Sequence, residues 1–199
     1  AGLLVLGQIG TKLATFAMNQ LLVRYISPVV VGLAAYMEFL VSTSLFFSRE
    51  AARLAAQRTP SEGTNILQTH QQIINFGYLS LLLCLPVTGI FFAWQFELPE
   101  LLQAWKFPLV VTSVALVVLE LGAEPLYLLN QYQLNFKKRT TYESLATFAR
   151  CTTVFVLAAT YSKNDDGRAI FAFSFGQLIF SVVLLGAYQF DYWFSSEEA

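Results

Sequence analysis

The sequence predicts an all-α membrane protein, six transmembrane helices in one domain spanning residues 1–199, and three observations predict it. Hydrophobic residues make up 56% of the chain and charged residues only 13%, with a mean hydropathy of +0.56, which does not describe a soluble surface. The charges gather between apolar runs of roughly 20 residues, the length a helix rising ~1.5 Å per residue needs to cross ~30 Å of hydrocarbon. These runs lack the alternating period of a membrane barrel, and lipid offers an unpaired backbone no water, so the spans must be helices.

Taken in order, the first run, Gly2–Val23, is too long for the apolar core of a signal peptide and holds Lys12 and Asn19 in its interior, so it is read as a span. With no initiator Met before it, the chain is expected to be a fragment or to lack its true start. The second run, Val29–Phe47, carries Glu38 near its middle. The third, Ile73–Phe96, and the fourth, Phe107–Asn130, are flanked by Trp94 and Trp105, where indoles suit the membrane interface. The fifth, Ser144–Tyr161, is centred on Arg150, and the sixth, Ala169–Phe190, ends just before Trp193.

The loops set the orientation. With a cytosolic N-terminus, the cytosolic loops hold Arg49, Arg53, Arg58, Lys137, Lys138 and Arg139, against Arg24, Lys106, Lys163 and Arg168 on the other side. This is a modest positive-inside bias. Cys84 and Cys151 fall inside spans as small apolar residues. His70 reads as a solvated loop residue, and Asn164-Asp165-Asp166-Gly167 as turn chemistry. No metal, cofactor or phosphate-loop motif is present, and nothing in a chain of net charge −1 points to nucleic acid.

Ionisable residues within the spans carry the functional argument. Lys12, Glu38, Glu120 and Arg150 fall near the middles of four spans, with Glu124 one turn beyond Glu120. An ionised residue at a helix centre costs roughly 2.5–3.5 kcal/mol on insertion scales, so these groups should face a bundle interior or a wet cavity and pair there. Helical stripes support an inward polar face: Gln8, Lys12, Thr15 and Asn19; Ser113, Glu120, Glu124 and Gln131; Glu143, Thr147 and Arg150. The stripes are expected to line one space. Gly122 and Pro125 should break the fourth helix beside it, Pro125 freeing the carbonyl of Leu121. A network of Lys12, Glu38, Glu120, Glu124 and Arg150 that only fixes helix packing is the alternative. At the cytosolic headgroup level Arg49, Arg53, Lys137, Lys138 and Arg139 could grip a phosphate, or serve only as topology signals.

Two stretches, "NQLLVRYISPVVVGLAAYMEFLVSTSLFFSREAARLA" (residues 19–55) and "LELGAEPLYLLNQYQLNFKKRTTYESLATFARC" (residues 119–151), resemble the Rft family of endoplasmic reticulum membrane proteins. The most specific pieces are "STSLFFSREAAR" and "ELGAEPLYLLNQ". The resemblance covers essentially the whole chain. It matches Arg49, Glu50 and Arg53 to the family's charged motif after the second span, and Glu120, Glu124 and Pro125 to its broken fourth span.

The resemblance implies a role in moving a mannose-rich dolichyl-diphosphate oligosaccharide from the cytosolic to the lumenal leaflet for protein N-glycosylation. It also implies kinship with multidrug/oligosaccharidyl-lipid/polysaccharide exporters, which set two six-helix lobes around a cavity. The chain is then expected to be the N-terminal lobe, with the second lobe absent. On that reading the cytosolic basic residues recruit the diphosphate, Lys12 and Arg150 neutralise it at mid-depth, and Gln8, Asn19, Glu120 and Glu124 bond sugar hydroxyls. The tail stays among membrane lipids. Rival expectations are a non-transporting scaffold that contacts glycosylation-pathway proteins and an ion-coupled antiporter using Glu120 and Glu124. An enzyme is not expected.

Overall fold

The computed structural model describes residues 9–10, 12–13, 15–18, 20, 24, 26–58, 66–95, 100–161 and 166–197. Most of the expected first span, including Gln8 and Asn19, lies outside the described residues. The helices are α1 (Pro28–Gln57), α2 (Ile66–Gln95), α3 (Lys106–Gly122), α4 (Glu124–Tyr132), α5 (Phe136–Tyr161) and α6 (Asp166–Glu197), with a 3₁₀ segment, Glu100–Trp105, leading into α3.

Among the described residues, four segments are long and apolar enough to cross a membrane: Pro28–Gln57, Gln68–Trp94, Gln103–Tyr132 and Gly167–Phe194. Their outward faces carry exposed Phe39, Phe46, Leu82, Ile90, Phe107 and Val182, as lipid contact requires. This is an all-α, multi-pass membrane protein. Several hydroxyls of the first of these spans are satisfied within their own helix: Thr43 donates to the Phe39 carbonyl, Ser44 to Leu40 and Ser48 to Ser44, at 2.7–2.9 Å.

Helix α1 starts where Ser27 caps it, its side chain accepting from the Val30 N–H, with Pro28 opening the first turn. It does not stop at Phe47. The stretch "SREAARLAAQ" consists largely of good helix formers with no glycine or proline, so the helix continues until the Arg58 N–H turns back to the Ala55 carbonyl at 3.1 Å. The segment expected to be a loop is therefore a helical wall. Ser44, Ser48, Ala52 and Ala56, four apart and all buried, are the small residues on which it packs.

The fourth span is broken, and the break falls at Ala123. There the N–H bonds the Glu120 carbonyl at 3.2 Å while φ and ψ stay helical at −81° and −16°. Pro125 does not interrupt a ladder; it occupies the first turn of α4, where its missing N–H does no harm. The carbonyl of Pro125's own helix start is reached from Tyr127, whose N–H bonds Ala123 at 2.9 Å. Gly77 on α2 lies directly under the joint, since a Cβ there would stand 2.4 Å from the Pro125 Cα. Helix α4 ends in a Schellman turn. The Asn135 N–H bonds the Asn130 carbonyl at 3.0 Å, the Leu134 N–H bonds Gln131 at 3.1 Å, and Leu134 takes the left-handed position at φ 58°.

Packing sets up a groove. Helices α5 and α6 lie antiparallel, with Gly176 tight against Val154, and α6 also packs on α3 and α1. Helix α2 covers α1, α3 and α4 from the other side. Helices α1 and α5 hardly touch, so a cleft runs between them with α3, α4 and α6 as its floor.

Candidate functional site

The cleft contains two cavities bordered by the same helices, α1, α3, α5 and α6, with α4 joining the second. The first is small, about 30 Å³, and lies between Glu38, Ser113, Arg150, Ser174 and Gln177. Here Arg150 Nη2 donates to Glu38 Oε1 at 2.9 Å, tying α5 to α1 across the mouth of the cleft. The second is about 320 Å³ and collects most of the buried charge.

That charge is arranged as a ladder. Arg49 Nη1 donates to Glu120 Oε1 at 3.0 Å, and Arg53 donates to both oxygens of Glu124, through Nε to Oε1 and through Nη2 to Oε2 at 3.0 Å. Both arginines are on α1, four residues apart, and both glutamates are on the α3–α4 wall, four residues apart. On two helices running the same way, equal spacing brings two rungs into register. The joint at Ala123 keeps this register because its dihedrals stay helical, so Glu120 and Glu124 face the same side. A third pair closes the far wall, where Arg139 Nε donates to Glu143 Oε1 at 3.1 Å along α5.

Tyr127 links the two sides. The guanidinium carbons of Arg53 and Arg139 lie 4.1 Å and 4.6 Å from its ring centroid, and Tyr188 of α6 meets it edge-on. The carboxylates are deeply buried, Glu124 at 2% exposed and Glu120 at 8%. Two buried oxygens lining this cavity have no hydrogen-bond partner, Glu120 Oε2 and Tyr188 Oη. Buried polar atoms are rarely left so.

The sequence-predicted residues distribute as follows. Glu120, Glu124, Glu143 and Thr147 share the larger cavity with Arg49 and Arg53, while Glu38, Ser113 and Arg150 share the smaller one. Gln131 lines a third cavity between the end of α1 and α4. The expectation of one common space is thus corrected to a cleft with separate compartments, because α1 carries its arginines a further three turns along and so splits the carboxylates among three partners. Lys12 is not among them: it is exposed, as are Ile9, Leu13 and Phe16 beside it, and it lines none of these cavities. Gly122 packs against Leu185 rather than lining the cavity.

The Lys137–Arg139 cluster is compact in sequence but not in space, since successive helix positions point about 100° apart. Lys137 is exposed, Lys138 bonds Asp191 of α6 at 2.8 Å, and Arg139 turns inward to Tyr127. The bond to Asp191 holds the Lys138 ammonium above the usual lysine range. Sequence reasoning missed the partners of the glutamates, Tyr127 and Tyr188. Tyr127 could have been found, because it continues the stripe of Glu120 and Glu124. Among the described residues, no group of His, Cys, Asp and Glu is placed to hold a metal ion.

The family model described as Rft protein matches residues 1–199. The chain belongs to the Rft family. Similar curated relatives of this Rft chain are the Man(5)GlcNAc(2)-PP-dolichol translocation proteins RFT1 of Candida albicans, 37% identical over 96% of the chain, and of Kluyveromyces lactis, 36% identical over 96%. The Saccharomyces cerevisiae protein of the same name is 33% identical over 96%. The Rft chain spans 36% to 39% of the length of these relatives. No solved structure matches it.

Proposed function

We propose that this chain forms one wall of the path by which the oligosaccharide headgroup of a dolichyl-diphosphate lipid crosses the endoplasmic reticulum membrane, as a translocating protein and not an enzyme. The observation that carries the reading is the larger cavity: a polar, partly unsatisfied chamber inside a bundle whose outer surface is apolar. A sugar headgroup cannot enter hydrocarbon without partners for its hydroxyls, and a cleft lined by paired charges supplies them while the isoprenoid tail stays in lipid. The relatives' names supply the substrate class. Opening and closing such a cleft requires a facing lobe, so the complete transporter is expected to be longer than these 199 residues.

A second reading, that the charges only fix helix packing, is favoured by one observation: each cleft arginine already has a carboxylate partner. The test uses a chimera in which this chain replaces the matching segment of the Saccharomyces cerevisiae relative, reconstituted in vesicles with a trappable dolichyl-diphosphate oligosaccharide. Transfer above protein-free vesicles, abolished by Arg139→Met with Glu143→Leu, a pair that lines the larger cavity, in a protein of unchanged thermal stability, is expected. Undiminished transfer by that variant would favour packing alone for this pair.

A further inference from the structure

At the opposite end of the bundle from the charged chamber, where α3 begins, α5 ends and α6 begins, lies an almost wholly apolar hollow. It holds about 390 Å³ and is walled by Trp105, Leu157, Phe171, Ala172 and Phe175, with Arg168 at its rim. The rings make a continuous wall: the Trp105 and Phe171 centroids are 5.9 Å apart, and Phe171 and Phe175 stack at 6.3 Å. Gly167 seats the indole, since any Cβ there would collide with the Trp105 ring.

The order of these residues along α6 is informative. Arg168, Phe171, Ala172 and Phe175 stand at i, i+3, i+4 and i+7, one face of the helix, so the guanidinium heads a strip of apolar surface about 10 Å long. Arg168 is exposed at the helix start, beside an indole of the kind that settles at the membrane interface, while Phe175 lies deeper in the span and is itself open to the surface. A cation at headgroup depth followed by an apolar trough running inward complements a phospholipid, phosphate first and acyl chain after. Water finds no partners in such a hollow, so hydrocarbon fills it. A sterol would leave the guanidinium unused.

Charge narrows the headgroup. The connections that join the helices at this end hold Arg24, Lys106 and Lys163 besides Arg168, and Glu97, Glu100, Asp165 and Asp166 balance all four. A net-neutral rim attracts no excess of anionic lipid, whereas a headgroup carrying both signs can meet both. We propose that this hollow holds one acyl chain of a zwitterionic membrane phospholipid whose phosphate pairs with Arg168. This lipid is a fixed part of the bundle and not its cargo, and its binding does not depend on the translocation reading.

The test is quenching of Trp105 fluorescence in the purified 199-residue chain in detergent, with the exposed Trp94 and Trp193 replaced by Phe, on titration with dibrominated phosphatidylcholine. Saturable quenching at a single site is expected. Arg168→Gln, at an exposed position, should fold as the parent does and weaken binding roughly fivefold. Dibrominated diacylglycerol, which has the chains and no phosphate, should bind parent and variant alike. Ala172→Leu, which takes up part of the hollow, should weaken both lipids equally. Quenching that rises in proportion to lipid without saturating would mean bulk contact only and overturn the site, as would phosphatidylcholine binding that Arg168→Gln leaves unchanged. Tighter binding of dibrominated phosphatidylglycerol, or displacement by dolichyl phosphate at a lower concentration than by phosphatidylcholine, would overturn the zwitterionic occupant.

Discussion

Removing Arg53 should damage this protein far more than removing Arg53 and Glu124 together. Glu124 has a side chain 3% exposed and two oxygens both bonded to the Arg53 guanidinium, so Arg53→Met strands a buried carboxylate. Breaking a buried pair from one side costs about 3–5 kcal/mol, and loss of the cation over Tyr127 adds roughly 0.5–2 kcal/mol. Replacing both partners by apolar side chains of similar size is usually neutral or stabilising. The double variant Arg53→Met/Glu124→Leu should therefore recover most of the loss, with a coupling of at least about 3 kcal/mol in a double-mutant cycle. For a chain of this length the summed loss of about 3.5–7 kcal/mol corresponds to a fall in unfolding temperature of about 7–28 °C for the single variant. Thermal unfolding of the purified chain in one detergent, followed by intrinsic fluorescence, measures it. A double variant as unstable as the sum of the singles would refute the pairing.

Two further outcomes follow from the backbone. Gly77→Ala places a methyl 2.4 Å from the Pro125 Cα, which is backbone and cannot swing aside, so it should destabilise by about 1–3 kcal/mol on thermal unfolding; an unchanged midpoint would mean that α2 does not approach the joint this closely. Leu134→Gly relieves a left-handed residue at φ 58° in the turn after α4 and should raise the unfolding free energy by about 0.5–1 kcal/mol, despite the greater freedom of glycine in the unfolded chain.

The class of fold was legible because transmembrane helices obey length and hydropathy, which are local properties. Glu120, Glu124 and Arg150 stood out for the same reason: a charge in an apolar run is visible without any partner. What local reading could not supply was the pairing. Arg49 and Arg53 fell beyond the apolar run and were read as loop residues at the headgroup level, whereas helix propensity alone carries α1 on to Gln57. Their four-residue spacing, equal to that of Glu120 and Glu124, was the signal that joins the two pairs. The break was expected from Pro125 but sits at Ala123, because proline opens a new helix more easily than it interrupts an old one. Tyr188 was invisible, since one tyrosine among many apolar residues on α6 carries no mark of the cavity it lines.

The most direct test of the central claim, that the charged chamber is a path and not only a brace, is headgroup transfer by the chimera in vesicles after Arg49→Met, Arg53→Met, Glu120→Leu and Glu124→Leu are made together. These four changes turn the ladder into an apolar plug without leaving a charge stranded, so the protein should unfold at the same temperature or a higher one. Transfer falling to the protein-free rate in that stable protein is the predicted result. Transfer at the parental rate would contradict the account and leave the ladder as architecture.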